Sequence, residues 1–295
     1  MRRFFKIIAL GVVMMVAVAC NIDEEYNEEI PAPEVRTIIV YDYTPAPGQF
    51  VGDRKFTGFE GVEDTPEAAR EYAEKRLNAS KMISLGAFGG YVVMGLGKSI
   101  ENKSGYDFAI MGNSFDGSSE PGVVWVMADE NGNGEPDDVW RELEGSESFS
   151  KGTIHNYEVT YYRPTAPMMN VEWTDNQGGS GVVEHVADYH KQEYYYPQWV
   201  KEDSYTLRGK CLKSKSYEES GTWRNPAFEW GYADNASAEC LKGENLFDIS
   251  RAVDATGEPI AMERVDFVMV QCAVMQQCGW AGEVSTEISG FRIVE

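Results

Sequence analysis

The sequence predicts an all-β fold, a β-sandwich of the jelly-roll kind with one short helix on its flank. Short apolar runs recur along the chain at residues 108–111, 123–127, 139–143, 246–249 and 265–274. Each run is bounded by Gly, Asn, Asp, Ser or Pro, which is typical of strands joined by turns. The runs do not alternate with long helical segments, so a sandwich is favoured over an α/β order.

A single domain is expected over residues 35–295, with a first strand at residues 35–43. Thr65 as a cap residue, Pro66 at the first helical position and Glu67 in the first turn predict the start of the one helix, which continues to Asn78. Ala68, Tyr72, Ala73 and Leu77 recur at helical spacing there, so this face should pack on the sandwich.

The N-terminus has the pattern of a secretory signal peptide over residues 1–19. A basic start with Arg2 and Arg3 precedes an apolar stretch and then small residues before Cys20. This pattern looks like a bacterial lipobox and predicts lipidation of Cys20. Acidic residues 20–34 would form a tether, and acylation with more than one chain would anchor the protein stably in the outer membrane, facing the cell exterior. Plain secretion is the alternative.

The composition excludes some classes of partner. The net charge is −22 and no basic stripe occurs, so nucleic acid is not an expected partner. Four cysteines remain in the domain, namely Cys211, Cys240, Cys272 and Cys278. An oxidising envelope would permit one or two disulfides among them, and the sequence does not choose a pairing.

An acidic loop at residues 129–138 is the candidate metal site. Its oxygen-bearing side chains belong to Asp129, Asn131, Asn133, Asp137 and Asp138. Alternating oxygen ligands in a tight loop suit calcium, although Trp140 stands where an EF-hand would need its bidentate Glu. The alternative is a solvated acidic turn.

An aromatic segment supplies the candidate ligand-binding residues, His190, Tyr194, Tyr195, Tyr196 and Trp199. Consecutive aromatics and Pro197 do not fit strand alternation, which predicts a loop. Tyr and Trp offer flat faces with a polar edge, suited to sugar rings or a corrin macrocycle, and an imidazole can ligate cobalt. The alternative is that the aromatics cap the core.

Several ordered blocks carry a family resemblance, among them residues 112–115, 230–234, 245–249 and 279–283. With the acidic loop, they resemble the cell-surface lipoprotein family of Bacteroidota, whose jelly-roll domains bind ligands and some of whose members are associated with vitamin B12 uptake. The resemblance implies a surface lipoprotein that captures a small ligand, a corrinoid for instance, with an outer-membrane transporter as partner.

Two other function classes stay open on the sequence alone. A carbohydrate-binding or adhesion module is the alternative to small-ligand capture. A glycan hydrolase is less favoured, because no nucleophile motif appears and nothing selects a carboxylate pair.

Overall fold

Strands dominate the architecture, and every pairing between the strands named below is antiparallel. The computed structural model describes residues 37–294. The predicted signal peptide, Cys20 and the tether lie outside the described residues. An all-β, sandwich-like fold with one helix on its flank is confirmed.

The elements of the first half are β1 (Ile39–Thr44), α1 (Pro66–Asn78), β2 (Ile83–Ser84), β3 (Tyr91–Gly95), β4 (Ile100–Glu101), β5 (Phe108–Met111), β6 (Gly122–Met127), β7 (Arg141–Leu143), β8 (Ile154–Tyr162), β9 (Val171–Asp175) and β10 (Ser180–Val183). Those of the second half are β11 (Ser204–Cys211), β12 (Tyr217–Glu219), β13 (Thr222–Arg224), β14 (Cys240–Leu241), β15 (Glu244–Phe247), β16 (Ala252–Val253), β17 (Arg264–Val265), β18 (Phe267–Cys272), β19 (Glu287–Ile288) and β20 (Gly290–Ile293). Short 3₁₀ turns occur at Ile249–Arg251 and Gly279–Ala281.

The main core is formed by two sheets and the helix. A six-stranded sheet in the order β1-β3-β18-β6-β7-β16 shares this core with a four-stranded sheet in the order β14-β15-β5-β20. Val124, Val126, Val268 and Val270 of the larger sheet are completely buried in it. Alternate residues of a strand point to opposite faces, so the intervening residues face away from this core.

A second four-stranded sheet, β10-β9-β8-β11, has a core of its own. Tyr157, Val159 and Tyr161 of β8 alternate inward there and pack with Phe88 and Leu207. Loop residues complete this core, so the second sheet needs no helix to cover its inner face.

The helix begins as the sequence predicted. The Thr65 hydroxyl accepts a hydrogen bond from the Ala68 amide at 3.2 Å, which satisfies one of the free N–H groups of the first turn. The buried face consists of Ala69, Ala73 and Leu77, with Tyr72 partly buried. The expectation for Ala68 was wrong by one residue, because Ala68 is only half-buried and Ala69 is fully buried.

The four domain cysteines are free thiols in this structure. Burial raises the pKa of Cys211 to about 12, and that of Cys272 and Cys278 to about 11. Cys240 is only half-buried. Within residues 37–294, no helix combines the length and apolarity needed to cross a bilayer.

Candidate ligand-binding site

The outer face of the six-stranded sheet forms the floor of an open cleft. Register places one residue from each strand in a single cross-strand row. From β1 to β16, the row reads Asp42, Val93, Met269, Trp125, Glu142 and Val253. All six line the cleft, whose volume is about 850 Å³.

The opposite wall comes from the second sheet. His155, Asn156 and Glu158 of β8 and Arg208 and Lys210 of β11 face the cleft. The Arg208 Nε lies 3.0 Å from the Glu158 carboxylate, and the Arg208 side chain is 72% exposed. This wall is therefore polar and, apart from Lys210, at least partly exposed to solvent, whereas the floor mixes aromatic, aliphatic and acidic groups.

The two sheets meet at one end of the cleft, at Gln271. Its side-chain amide donates to the Gly89 carbonyl and to the Arg208 carbonyl, both at 2.9 Å. A Cβ at Gly209 would come within 2.2 Å of the Gln271 Oε1, so a larger residue there would displace the Gln271 amide from these two bonds. This contact sets the spacing between floor and wall at that end.

A buried ion pair links floor and wall farther along. The Lys210 ammonium contacts the Glu142 carboxylate, and both side chains are about 95% buried. The Ser148 hydroxyl donates to the other Glu142 oxygen at 2.6 Å, and the Lys210 ammonium lies 4.3 Å from the centroid of the Phe149 ring. Both charged groups have several partners, and removing either residue would leave the other charge buried and unpaired. The ion pair is therefore a structural part of the cleft.

Aromatic faces suited to a ring-bearing ligand line the same cleft at Tyr91, Trp125 and Trp140. The buried Trp125 Nε1–H has no hydrogen-bond partner, and a buried donor of this kind is costly unless it is satisfied. The Tyr91 hydroxyl donates to Asp42 at 2.7 Å. Burial, followed by the Asp42 charge and hydrogen bond, raises the pKa of Tyr91, so the phenol remains a neutral donor.

The acidic loop lies beside the cleft, because Pro136, Val139 and Trp140 line it. Asp129 accepts backbone N–H groups of Gly132 at 2.7 Å and Gly134 at 2.9 Å. Asp137 accepts the side-chain amides of Asn131 at 2.9 Å and Asn133 at 3.0 Å. The loop thus brings four of the five predicted ligands together.

Asp138 points elsewhere in the loop and accepts the Glu130 amide at 2.9 Å. The carboxylates are satisfied by the loop's own donors, as in a solvated turn. Calcium binding at residues 129–138 stays a prediction.

The predicted aromatic platform is not formed. Residues 194–199 are irregular, as expected, but they turn inward: Tyr195 is 0% exposed, Tyr196 1% and Trp199 4%. Tyr195 stacks on His185 at 4.2 Å between ring centroids, and Trp199 packs on Tyr43. Tyr195 and Tyr196 belong to the core of the second sheet and Trp199 to the main core, so these aromatics serve as packing residues. Tyr194 is half-buried.

His190 is also largely buried, among aromatic rings, and its role as a ligand stays a prediction. Its ring contacts Phe50 at 4.6 Å and Phe56 at 5.6 Å between centroids, and its side chain is 11% exposed. Burial lowers the pKa of His190 despite Asp53, whose carboxylate lies 3.9 Å from Nδ1. A neighbouring cleft of about 800 Å³ is lined by Tyr189, Lys191 and Gln198 from the same segment, with Asp53 and Phe56 opposite.

The cleft residues were missed at the sequence level because the row is assembled by long-range register. One local signal was present. In β6, apolar residues occupy both strand faces, with Val124 and Val126 alternating with Val123 and Trp125. A strand that is apolar on both faces indicates that something covers each of them.

In comparison with known proteins, the sequence matches no protein-family model and no curated protein.

Proposed function

We propose that this protein is a surface lipoprotein that captures a polar, ring-bearing small ligand in the cleft between the six-stranded sheet and the β8–β11 wall. The observation that carries the proposal is the convergence of Tyr91, Trp125 and Trp140 with charged groups in one open cleft. Ligand sites are usually concave, with apolar surface and a few polar groups that fix orientation.

A corrinoid is the first ligand to test, in keeping with the family resemblance. The cleft contains an exposed imidazole, that of His155, whose ring stacks on Phe149 at 5.6 Å between centroids. A neutral imidazole can ligate cobalt, the role first expected of His190. The aromatic floor would face the macrocycle, and Arg208 and Asn156 would bond its amide groups.

A glycan is the second candidate. Sugar rings stack on aromatic faces and take hydrogen bonds from charged side chains, and the exposed Arg208–Glu158 pair offers both donor and acceptor at the cleft wall. The two ligands use the same residues apart from His155, which only a corrinoid would need as a metal ligand.

The test is a titration of the purified protein with aquocobalamin, followed by visible absorbance, and with neutral oligosaccharides, followed by calorimetry. Trp140→Ala should weaken binding of the true ligand by about 2 kcal/mol or more, the scale of an aromatic hot spot. Trp280→Ala is the matched control, because Trp280 is 55% exposed and lies outside the cleft.

Each outcome assigns the ligand or removes the proposal. A shift of the aquocobalamin spectrum that disappears in His155→Ala supports the corrinoid. Oligosaccharide binding that Trp140→Ala abolishes and His155→Ala spares supports the glycan. Binding that survives Trp140→Ala unchanged would place the ligand outside this cleft.

The membrane anchor is tested separately. Cys20→Ala should leave the protein without lipid and move it from the detergent phase to the aqueous phase of a two-phase partition. Unchanged partitioning of this variant would contradict the lipoprotein assignment while leaving the cleft proposal intact.

A further inference from the structure

Three carboxylates from distant parts of the chain meet away from the cleft. Glu120 precedes β6, Asp234 follows residues 230–233, and Glu287 begins β19. One oxygen of each lies within 4.8 Å of the others. Asp234 and Glu287 are 0% exposed and Glu120 is half-buried, so the cluster lies within the fold and reaches solvent only at Glu120.

The groups that bond these carboxylates are amides and hydroxyls. Asp234 accepts backbone N–H groups of Asn113 and Ser114 at 2.9 and 2.8 Å with one oxygen. Its other oxygen accepts the Glu287 amide at 2.9 Å. The ion pairs formed by Lys210, Arg251 and Arg292 involve carboxylates outside this cluster. Backbone amides favour the ionised form of Asp234 but bring no positive charge.

One oxygen of the cluster lacks an amide or hydroxyl donor. The Ser285 hydroxyl donates to the Glu287 Oε1 at 2.9 Å, whereas the buried Oε2 accepts no such hydrogen bond. Glu287 also lies against the Glu120 carboxyl, and Ser285 donates its amide to Glu120 at 3.1 Å. A buried, unpartnered carboxylate oxygen beside two further carboxyls is expensive unless a counter-charge satisfies it.

A divalent cation would supply the positive charge that the residues around this cluster lack. It would balance two of the three carboxylate charges and give the buried Glu287 Oε2 a partner. The donor set contains oxygen and no nitrogen or sulfur, which suits the hard cations calcium, magnesium and manganese. Half-buried Glu120 leaves room for water ligands.

We propose that Glu120, Asp234 and Glu287 form a divalent-cation site, with calcium as its first candidate. The cation would join the loop before β6, the loop after residue 233 and the start of β19. These segments are already adjacent, because the Glu120 amide donates to the Asp234 carbonyl at 2.9 Å. The role is structural and does not depend on the cleft or its ligand.

The experiment uses the full chain, freed of metal with a chelator, and has two readouts at pH 7.5. Calorimetry counts the calcium equivalents, and thermal melts compare chelator with added calcium. Wild type should bind calcium and melt at a higher temperature with it. At a hundredfold excess over Kd, mass action lowers the unfolding equilibrium constant about 100-fold. Manganese and magnesium are titrated in parallel.

Glu287→Gln keeps the side-chain shape and removes one charge. It should lose one equivalent of cation and the corresponding rise in melting temperature, while melting in chelator no lower than wild type does. Glu120→Gln serves as a second variant if Glu287→Gln fails to fold. Asp137→Asn is the matched control, because it removes a carboxylate from the acidic loop and should leave the cluster's equivalent in place.

Two results would overturn the proposal of a divalent-cation site. Wild type that takes up none of the three cations, with the same melting temperature in chelator and calcium, would mean that the cluster is neutralised by protons. Calcium uptake that Asp137→Asn abolishes and both cluster variants retain would assign the cation to the acidic loop alone.

Discussion

Trp199 gives the sharpest test of whether the aromatic segment is core or ligand platform. Its side chain is 4% exposed, and its ring lies 5.8 Å from Tyr43 and 6.1 Å from Phe59 between centroids. Truncating a buried Trp to Ala removes its transfer free energy and leaves a cavity, at a cost of about 3–5 kcal/mol. The two ring contacts account for about 0.5–1.5 kcal/mol each within that cost.

We therefore expect Trp199→Ala to lower the free energy of unfolding by about 4 kcal/mol. For a domain of this size, each kcal/mol corresponds to about 2–4 °C in Tm, so the melting temperature should fall by about 8–16 °C. Urea unfolding followed by far-UV circular dichroism measures the loss without relying on tryptophan fluorescence. Trp280→Ala, at an exposed position, should change the free energy by no more than about 0.5 kcal/mol.

The result that would refute the packing role is specific. A loss below about 1 kcal/mol for Trp199→Ala, together with a large loss of ligand affinity, would mean that Trp199 faces the ligand. A large loss of stability with unchanged affinity in the remaining folded protein would support the cleft as the binding site.

Three further predictions follow from buried groups. In the native domain, Cys240 alone should react rapidly with a thiol reagent at pH 8, because burial raises the pKa of the other three thiols; counting modified thiols before and after denaturation checks this. Lys210→Met should lower the free energy of unfolding in urea by about 3–5 kcal/mol, because it leaves the buried Glu142 carboxylate unpaired, and adding Glu142→Gln should recover most of this loss. An unchanged free energy of unfolding in the single variant would mean that the ion pair is solvated. Burial raises the pKa of Glu283 to about 8, so the native state keeps a proton that the unfolded chain releases above about pH 4.5. In chelator, the free energy of unfolding of the wild type should thus fall between pH 5 and pH 8 more steeply than that of Glu283→Gln, as measured by urea unfolding. The same pH dependence in both proteins would contradict the raised pKa of Glu283.

Local pattern was enough to predict several of the elements. The strands at Phe108–Met111 and Gly122–Met127 and the helix capped by Thr65 follow from apolar runs, turn residues and a capping side chain, all of which act within a few residues. The first strand begins later than predicted, at Ile39. Boundaries of this kind depend on pairing partners that the local sequence does not specify.

The sites could not be predicted in the same way. The row in the cleft joins Asp42 to Met269 through β3, and the carboxylate cluster joins Glu120 to Glu287. Neither set has a spacing that marks it, because tertiary pairing alone brings its members together. The aromatic segment was interpreted incorrectly because its composition fits an exposed ligand platform and a core formed by loop residues equally well. Only the burial of its side chains distinguishes the two.

The six-stranded sheet has one further consequence, which concerns how the ligand preference of such a protein can change. The same strands carry the sandwich core on one face and the cleft floor on the other, alternating residue by residue. A substitution at Val93 or Met269 alters the floor while Val92 and Val270 keep the core closed. Under the proposed function, ligand recognition could therefore change one cleft residue at a time, while the neighbouring core residues maintain the fold.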